Sequence, residues 1–220
     1  MSIVKRLPLA LVLLPLVATG CAHDNDITAI GGSIGREVKR TSCPSAGVPA
    51  YTGDLTLFDP PASRDARAID VVATITDVQS QCDDSDASST LTNHATFRVL
   101  ARRNDPHGAR DVQLPYFAVV MHGGTAVASK SISRVSVHFD DGKLLASATG
   151  QASATVNRAD ATLPDNIRNR LIRKRNAEDA DASIDPMTDP AVRSALAKAS
   201  FELLVGFQLT EEQLAYNATR

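Results

Sequence analysis

The sequence predicts a mainly β protein, an antiparallel β-sandwich of immunoglobulin-like architecture followed by a helical C-terminal appendage. Three observations support this fold class. Segments rich in β-branched residues recur between turn residues from position 51 to position 156. Gly123-Gly124 separates two of these segments, as the central pair of a β-hairpin turn does. Beyond Asp160 the apolar residues recur with helical spacing instead.

Length and composition agree with a folded globular protein. The chain has 220 residues, of which 43% are hydrophobic, so it is long enough and apolar enough to bury an ordinary core. Its formal net charge is only −2. A domain that binds nucleic acid is usually strongly basic, so the composition argues against a nucleic-acid partner.

Six strands are predicted in chain order, each ended by a turn or a polar loop. Pro115 lies inside one of them, which indicates an edge position or a bulge, because proline cannot donate to a neighbouring strand. The last strand is rich in Ala, Ser and Thr, which indicates close approach to a neighbour or an edge. The predicted strands cover residues 51–58, 68–78, 95–102, 112–121, 125–138 and 144–156.

Three helices are predicted after the strands. Residues 162–165 resemble a capping box and would open a helix to about position 175. Asp189, followed by Pro190, would cap a second helix, with Gly206 as its C-terminal cap. Residues 210–213 form another capping box, which opens a last helix through Tyr216. The second helix would share one apolar face among Val192, Leu196, Ala199 and Leu203.

The N-terminus has the three parts of an export signal. Lys5 and Arg6 form a basic tip, an apolar stretch follows over residues 7–17, and small residues lead to Cys21. The apolar stretch is shorter than the roughly 20 residues that span a bilayer as a helix. Ending such a segment on Gly20-Cys21 resembles the lipobox of bacterial lipoproteins. The resemblance implies that the signal is removed before Cys21, which then carries lipid.

This organisation predicts four segments. Residues 1–20 would be the lipoprotein signal peptide, and residues 21–42, which are polar and glycine-rich, a flexible tether. Residues 43–158 would form the β-sandwich domain. Residues 159–220 would form the helical appendage, packed on the sandwich.

The three cysteines fit the same interpretation. If Cys21 carries lipid, Cys43 and Cys82 remain as an even pair, and an oxidising compartment favours a disulfide between them. In a reducing cytosol they would instead be two free thiols.

Two further motifs each have a functional and a plain interpretation. Residues 31–35 match G-x-S-x-G, so Ser33 could be the nucleophile of an esterase-like hydrolase. That chemistry needs a strand before the serine and a helix after it, whereas this serine lies in the predicted tether. The acidic residues Asp83, Asp84 and Asp86 could offer oxygen ligands to Ca²⁺, but the glycine and distal glutamate of an EF-hand are missing. We therefore predict that residues 31–35 are part of the tether and that the acidic residues belong to a solvated loop.

The remaining candidates are histidines and one basic run. No two of the five histidines have the spacing of a zinc helix motif, so neither a metal nor a cofactor is predicted. The basic run extends from Arg168 to Arg175. Its cations spread around the helix, which favours a solvated face over docking to an anionic surface. The five histidines are His23, His94, His107, His122 and His138.

The chain combines the lipobox-like segment with Cys43-Pro44, Cys82, residues 114–117, Gly123-Gly124 and the tail 201–220. In this combination, most of the predicted mature chain is similar to a group of small, uncharacterised proteobacterial lipoproteins. The resemblance implies a protein anchored through lipid on Cys21. Ala22 after that cysteine implies delivery to the outer membrane, facing the periplasm.

The functional prediction follows from the anchor and the fold class. We expect a non-catalytic structural or interaction module of the cell envelope, with an envelope protein or a glycan as a possible partner. The alternative is a periplasmic binding module for a small ligand or glycan, with a concave pocket between the sheet and the C-terminal helices. A hydrolase using Ser33 is the remote third hypothesis.

Overall fold

The computed structural model describes residues 42–85, 87–173 and 183–219. Within them the chain is mainly β, with two four-stranded sheets, one of which curls into a half-barrel. Sheet A has the strand order β1-β8-β5-β6 and sheet B the order β2-β3-β4-β7. The strands are β1 (Ser45–Gly47), β2 (Asp54–Phe58), β3 (Ile69–Asp83), β4 (Thr90–Arg103), β5 (Arg110–His122), β6 (Ala126–Phe139), β7 (Leu145–Asn157) and β8 (Phe201–Phe207).

All six predicted strands are present, as β2 to β7, and the predicted turns join them. Gly123 and Gly124 have φ angles of 64° and 73°, which suit glycine and are typical of a type I′ hairpin turn. Gly142, with φ 74°, lies in the second predicted turn. The mainly β fold class is therefore confirmed.

One hydrophobic core lies between the two sheets. Alternate residues of β4 point into it, because successive side chains of a strand lie on opposite faces. Matching residues of β5 and β6 meet them from sheet A. The most deeply buried members are Leu55, Val71, Leu91, Phe97, Val99, Leu114, Val137, Phe139, Leu203, Val205 and Phe207.

The strand order is not that of the immunoglobulin fold. In that fold the first, second, fifth and fourth strands form one sheet. Here sheet B joins three consecutive strands to β7, and sheet A pairs β1 in parallel with β8. The predicted immunoglobulin-like architecture is therefore not shown by the strand order of the described residues.

The C-terminal region is not wholly helical. The helix predicted through Leu203 ends at Lys198, and Phe201–Phe207 forms β8 between β1 and β5. Leu203 is buried in the core, and Gly206 is a strand residue rather than a helix cap. A Cβ atom at Gly206 would lie 2.8 Å from Cζ of Phe117, so glycine is needed there for close packing. The prediction of an entirely helical segment 159–220 is wrong for these seven residues.

The helices are α1 (Arg158–Ala161), α2 (Asp165–Ile172), α3 (Pro190–Lys198) and α4 (Glu211–Thr219). Asp189 caps α3 as predicted, since its Oδ1 accepts from the backbone N–H of Ala191 at 2.7 Å. The capping box before α4 is also confirmed: Thr210 and Gln213 exchange side-chain and backbone hydrogen bonds of 2.9 and 3.2 Å. The box predicted at 162–165 is wrong, because Pro164 is the N-cap of α2 and makes no side-chain hydrogen bond.

Pro115 lies in a strand with a neighbour on each side, yet its missing N–H costs little. The pairing of β5 with β8 begins at Tyr116, one residue further along the chain. On that side Pro115 is beyond the paired region, and its carbonyl accepts from the N–H of Gln208 at 2.9 Å. Of the two positions predicted for Pro115, an edge or a bulge, the structure therefore shows a local edge.

Of the glycines in the described ranges, Gly150 of β7 lies closest to an aromatic ring. A Cβ atom there would overlap the ring of Phe97, which is almost fully buried. We therefore expect Gly150→Ala to lower the free energy of unfolding by about 1 to 3 kcal/mol, measured by urea denaturation. The close approach that the small residues of β7 predicted is therefore present at Gly150.

A matched control is Gly47→Ala, where the added Cβ would lie an ordinary 3.7 Å from Leu204. It should change stability by about 0.5 kcal/mol or less. Phe97→Leu should lower the free energy of unfolding less in the Gly150→Ala background than in the wild type. The reason is that the Phe97 ring and the added methyl group at position 150 would occupy the same space. Additive losses would contradict the steric explanation.

Candidate functional site

The predicted anchor lies outside the described residues. The signal 1–20, Cys21 and nearly all of the tether 21–42, including Ser33, precede Ser42, the first residue that the structure describes. Acylation of Cys21 and the hydrolase hypothesis for Ser33 therefore stay predictions. The structure does show the place where the predicted tether would join the domain.

A disulfide joins Cys43 to Cys82, with 6.2 Å between their Cα atoms, which confirms the predicted pair. Cys82 lies near the end of β3, and Cys43 lies two residues before β1. The bridge therefore fixes the N-terminal end of the described chain to sheet B.

We name residues 43–47 the entry segment. Two further contacts hold it to the sheets. Asn93 of β4 is 1% exposed and donates from its side-chain Nδ2 to the carbonyl of Pro44. Strand β1 pairs with β8, so Ser45 lies beside Glu202. The entry segment is thus fixed to sheet B by the disulfide and to sheet A by strand pairing.

A cation, Arg158, holds the acidic loop after β3 through two backbone carbonyls of the loop. Arg158 donates to the carbonyls of Ser85 and Ser88, at 2.7 Å in both cases. Asp83 and Asp84 are exposed, and Asp86 lies outside the described residues. In the described part of the chain, no group of three His, Cys, Asp or Glu side chains could hold a metal ion.

Three of the four histidines within the described ranges have separate local partners. His107 lies 2.6 Å from Asp105, and His122 stacks on Phe201 and donates to the carbonyl of Lys198 at 2.6 Å. The backbone N–H and the imidazole of His107 together lower the pKa of Asp105. His94 is exposed, and His138 lies between Asp111 and Asp140, at 2.9 and 3.5 Å.

The basic run on α2 is paired with acids. Arg168 forms an ion pair with Asp165, and Arg170 with Asp189 at 2.6 Å. The guanidinium of Arg170, aided by the N–H of Ala191, lowers the pKa of Asp189. Lys174 and Arg175 lie outside the described residues. These pairs favour a solvated, locally neutralised face.

A cleft of about 330 Å³ lies between α2 and the turn before α3. Its walls combine apolar and charged side chains, including the Arg170–Asp189 pair. No strand residue lines it, so it differs in place from the predicted pocket between sheet and helices. The lining residues are Asn169, Arg170, Arg173, Ile184, Asp185, Pro186, Thr188 and Asp189.

A buried arginine, Arg103, was not predicted. It ends β4 on the core-facing side and is 0% exposed. Its guanidinium lies over the ring of Phe139, 5.2 Å from the centroid. Its Nε and terminal nitrogens donate to the backbone carbonyls of Lys143, Gly108, Pro106 and Asp140, at 2.7, 2.7, 2.6 and 2.8 Å. One side chain therefore fixes the β4–β5 and β6–β7 loops together.

The C-terminal helix is fixed to sheet B in a similar way. Asn217 of α4 donates to the carbonyls of Tyr51 and Asp54, both at 2.8 Å. Tyr216 packs edge-on against Phe58 of β2, with 5.3 Å between the ring centroids. Helix α4 therefore packs on β2, one of the two outer strands of sheet B.

None of the helices in residues 42–85, 87–173 and 183–219 is long and apolar enough to cross a bilayer. Comparisons of the chain with protein-family models, with curated proteins and with solved structures gave no match.

Proposed function

We propose that this protein is a lipid-anchored, non-catalytic module of the bacterial cell envelope, attached through Cys21 to the outer membrane and facing the periplasm. The observation that carries the proposal is the Cys43–Cys82 disulfide. Disulfides persist in oxidising compartments such as the periplasm and are rare in the cytosol. The bridge also leaves Cys21, in the lipobox-like segment, as the one cysteine available for lipid.

The entry segment suits a protein held by its N-terminus. A load on the tether would act first on residues 43–47, which the disulfide, Asn93 and β8 hold to both sheets. The domain could then stay folded at a distance from the membrane. This arrangement supports an interaction role, in which the anchor places a folded surface in the periplasm.

Acylation is tested by expressing the full chain with an alkyne-bearing palmitate analogue and fractionating the cells. We expect the wild type to be labelled and retained in the outer-membrane fraction, and Cys21→Ser to lose both properties. The double variant Cys43→Ser/Cys82→Ser is the control and should keep the label. A Cys21→Ser protein that is still labelled and membrane-bound would overturn the anchor.

The interaction role is tested separately by crosslinking the tagged lipoprotein in intact cells. A reproducible envelope partner, absent with Cys21→Ser, supports the module. Wild-type protein that crosslinks to nothing, and is purified with a bound small molecule, contradicts it.

The cleft beside α2 favours the alternative, a periplasmic binding module for a small ligand or glycan. Its volume of about 330 Å³ is at the lower end for small-molecule sites, and it combines apolar walls with polar groups. A panel of soluble glycan fragments, scored by thermal shift, tests this alternative. The shift should vanish with Asn169→Ala, and a shift that persists in that variant would place the ligand elsewhere.

A further inference from the structure

One half of strand β6 is open on both faces and along one edge. Residues 126–134 are all exposed, although they belong to a regular strand. They pair with β5 on one side, and β6 is the last strand of sheet A. We name residues 126–134 the β6 edge. Because β6 has no neighbour on its other side, its outer edge presents a row of backbone donors and acceptors to another extended chain.

The other outer strands are shorter or already engaged. Strand β1 has three residues and is held by the entry segment's disulfide. Strand β2 is covered by α4 through the hydrogen bonds of Asn217 to Tyr51 and Asp54. On β7 the carbonyl of Gln151 accepts from the hydroxyl of Tyr116 at 2.6 Å. Of the outer strands in the described ranges, β6 therefore offers the longest unbroken run of exposed residues.

The two faces of the β6 edge differ in chemistry. Ser129, Ser131 and Ser133 lie opposite buried residues of β5, so they continue the core-facing side with small polar groups. Lys130, Ile132 and Arg134 lie on the outer face, and Ile132 is 61% exposed. A chain added here would place alternate side chains beside the serines and beside the cations.

The charge of the β6 edge defines its partner. Residues 126–138 include Lys130 and Arg134 but no acidic residue. Lysines often protect strand edges, yet the ammonium of Lys130 lies over the ring of Phe117, 5.4 Å from its centroid, so it is held on the outer face of the sheet. Self-pairing of two copies would bring two cationic segments together, which is unfavourable.

We propose that the β6 edge binds an acidic, extended peptide segment of a partner protein, which adds to sheet A as a fifth strand. Main-chain hydrogen bonds supply affinity, and carboxylates on alternate residues meet Lys130 and Arg134. Small apolar residues at the intervening positions pack beside the serines. This inference rests on the proposed interaction function and names the chemical class of the partner.

The test uses the full chain, solubilised in detergent, and a fluorescein-labelled heptapeptide of alternating Glu and Val, with binding followed by fluorescence anisotropy. We expect the charge-reversed variant Lys130→Glu/Arg134→Glu to bind this peptide on the order of tenfold more weakly. The same variant should gain binding to the matching Lys and Val peptide. The control Arg67→Glu/Arg193→Glu changes two exposed cations outside β6 and should bind as the wild type does.

Two measurements separate strand addition from simple charge attraction. A peptide of alternating Glu and Pro keeps the charge but loses backbone donors, so it should bind much more weakly. Amide hydrogen exchange should slow within residues 126–134 when the Glu-Val peptide is added. Equal binding of the Glu-Pro peptide, no effect of charge reversal, or a peptide-free dimer through β6 would overturn the inference. These outcomes leave the acylation test untouched, so the two proposals fail separately.

Discussion

Replacing Arg103 by methionine is expected to lower the free energy of unfolding by about 3 to 5 kcal/mol. Methionine fills much of the same space but donates no hydrogen bond. Four backbone carbonyls of the β4–β5 and β6–β7 loops would then lose the donor that the buried guanidinium supplies. Urea denaturation followed by circular dichroism measures the change.

The adjacent Arg102 provides the control, because its side chain is on the opposite, exposed face of β4. Arg102→Met should change stability by about 0.5 kcal/mol or less. Arg103→Lys should lie between the two, since lysine keeps the charge but lacks the planar fork that reaches several carbonyls at once. A loss below about 1 kcal/mol in Arg103→Met would show that water replaces the guanidinium.

Removing the disulfide is the second large effect that we expect. The variant Cys43→Ser/Cys82→Ser opens a loop whose ends are 39 residues apart. On the chain-entropy account, such a cross-link is worth about 4 kcal/mol, because it restricts the unfolded chain. Thermal and urea unfolding with and without dithiothreitol measure it.

The comparison with reductant separates the covalent bond from the packing of its sulfur atoms. Dithiothreitol should destabilise the wild type toward the value of the double serine variant and leave that variant unchanged. Amide exchange should also quicken at β1, which has only three residues of pairing with β8 to hold it. A wild type that is indifferent to reduction would show that the bridge adds no stability.

The sequence predicted the features whose causes are local. Gly123-Gly124 supplies the positive φ angles of a tight hairpin, whatever the rest of the fold. Thr210 and Gln213 form their capping box from side chains three residues apart. The cysteine pair was also predicted, because an even count in an exported chain has few other uses.

Strand β8 could not be predicted from its own residues. It lies between β1 and β5, so both of its edges are paired, and all of its residues are buried or half-buried. Its apolar residues therefore run almost continuously instead of alternating. Leu203 also falls at helical spacing from Leu196 and Ala199, which mimics one more turn of α3. Only the long-range partner strands decide between the two structures.

Arg103 had a signal that composition obscured. Ala95, Phe97, Val99 and Ala101 alternate along β4, and the same period places position 103 toward the core. Charged residues are usually exposed, so the arginine at position 103 was not recognised as a core residue. The core-facing residues expected from the alternation therefore stop at Ala101, one core-facing position before Arg103. The carbonyls that satisfy it come from loops whose positions no sequence pattern gives.

Of the candidate sites, the disulfide was predictable from the sequence and the β6 edge was not. The disulfide was predicted from two cysteines and an expected oxidising compartment, whereas the β6 edge depends on which strand is the last of sheet A. Residues 125–138 were predicted as one strand, but their sequence does not show that one half has no neighbour beyond it. That property comes from the sheet order, which places β6 outside β5.

The pairing of Ser45 with Glu202 has a consequence for how the domain is made. It joins the first strand of the described chain to the last, which is the slowest kind of contact for a chain to find. Sheet A stays incomplete until residues 201–207 have paired, and until then the central side of β5 is unpaired. Molecules in which β8 has not yet paired would expose that side to other chains, so the time spent partly folded, rather than final stability, would set the risk of aggregation.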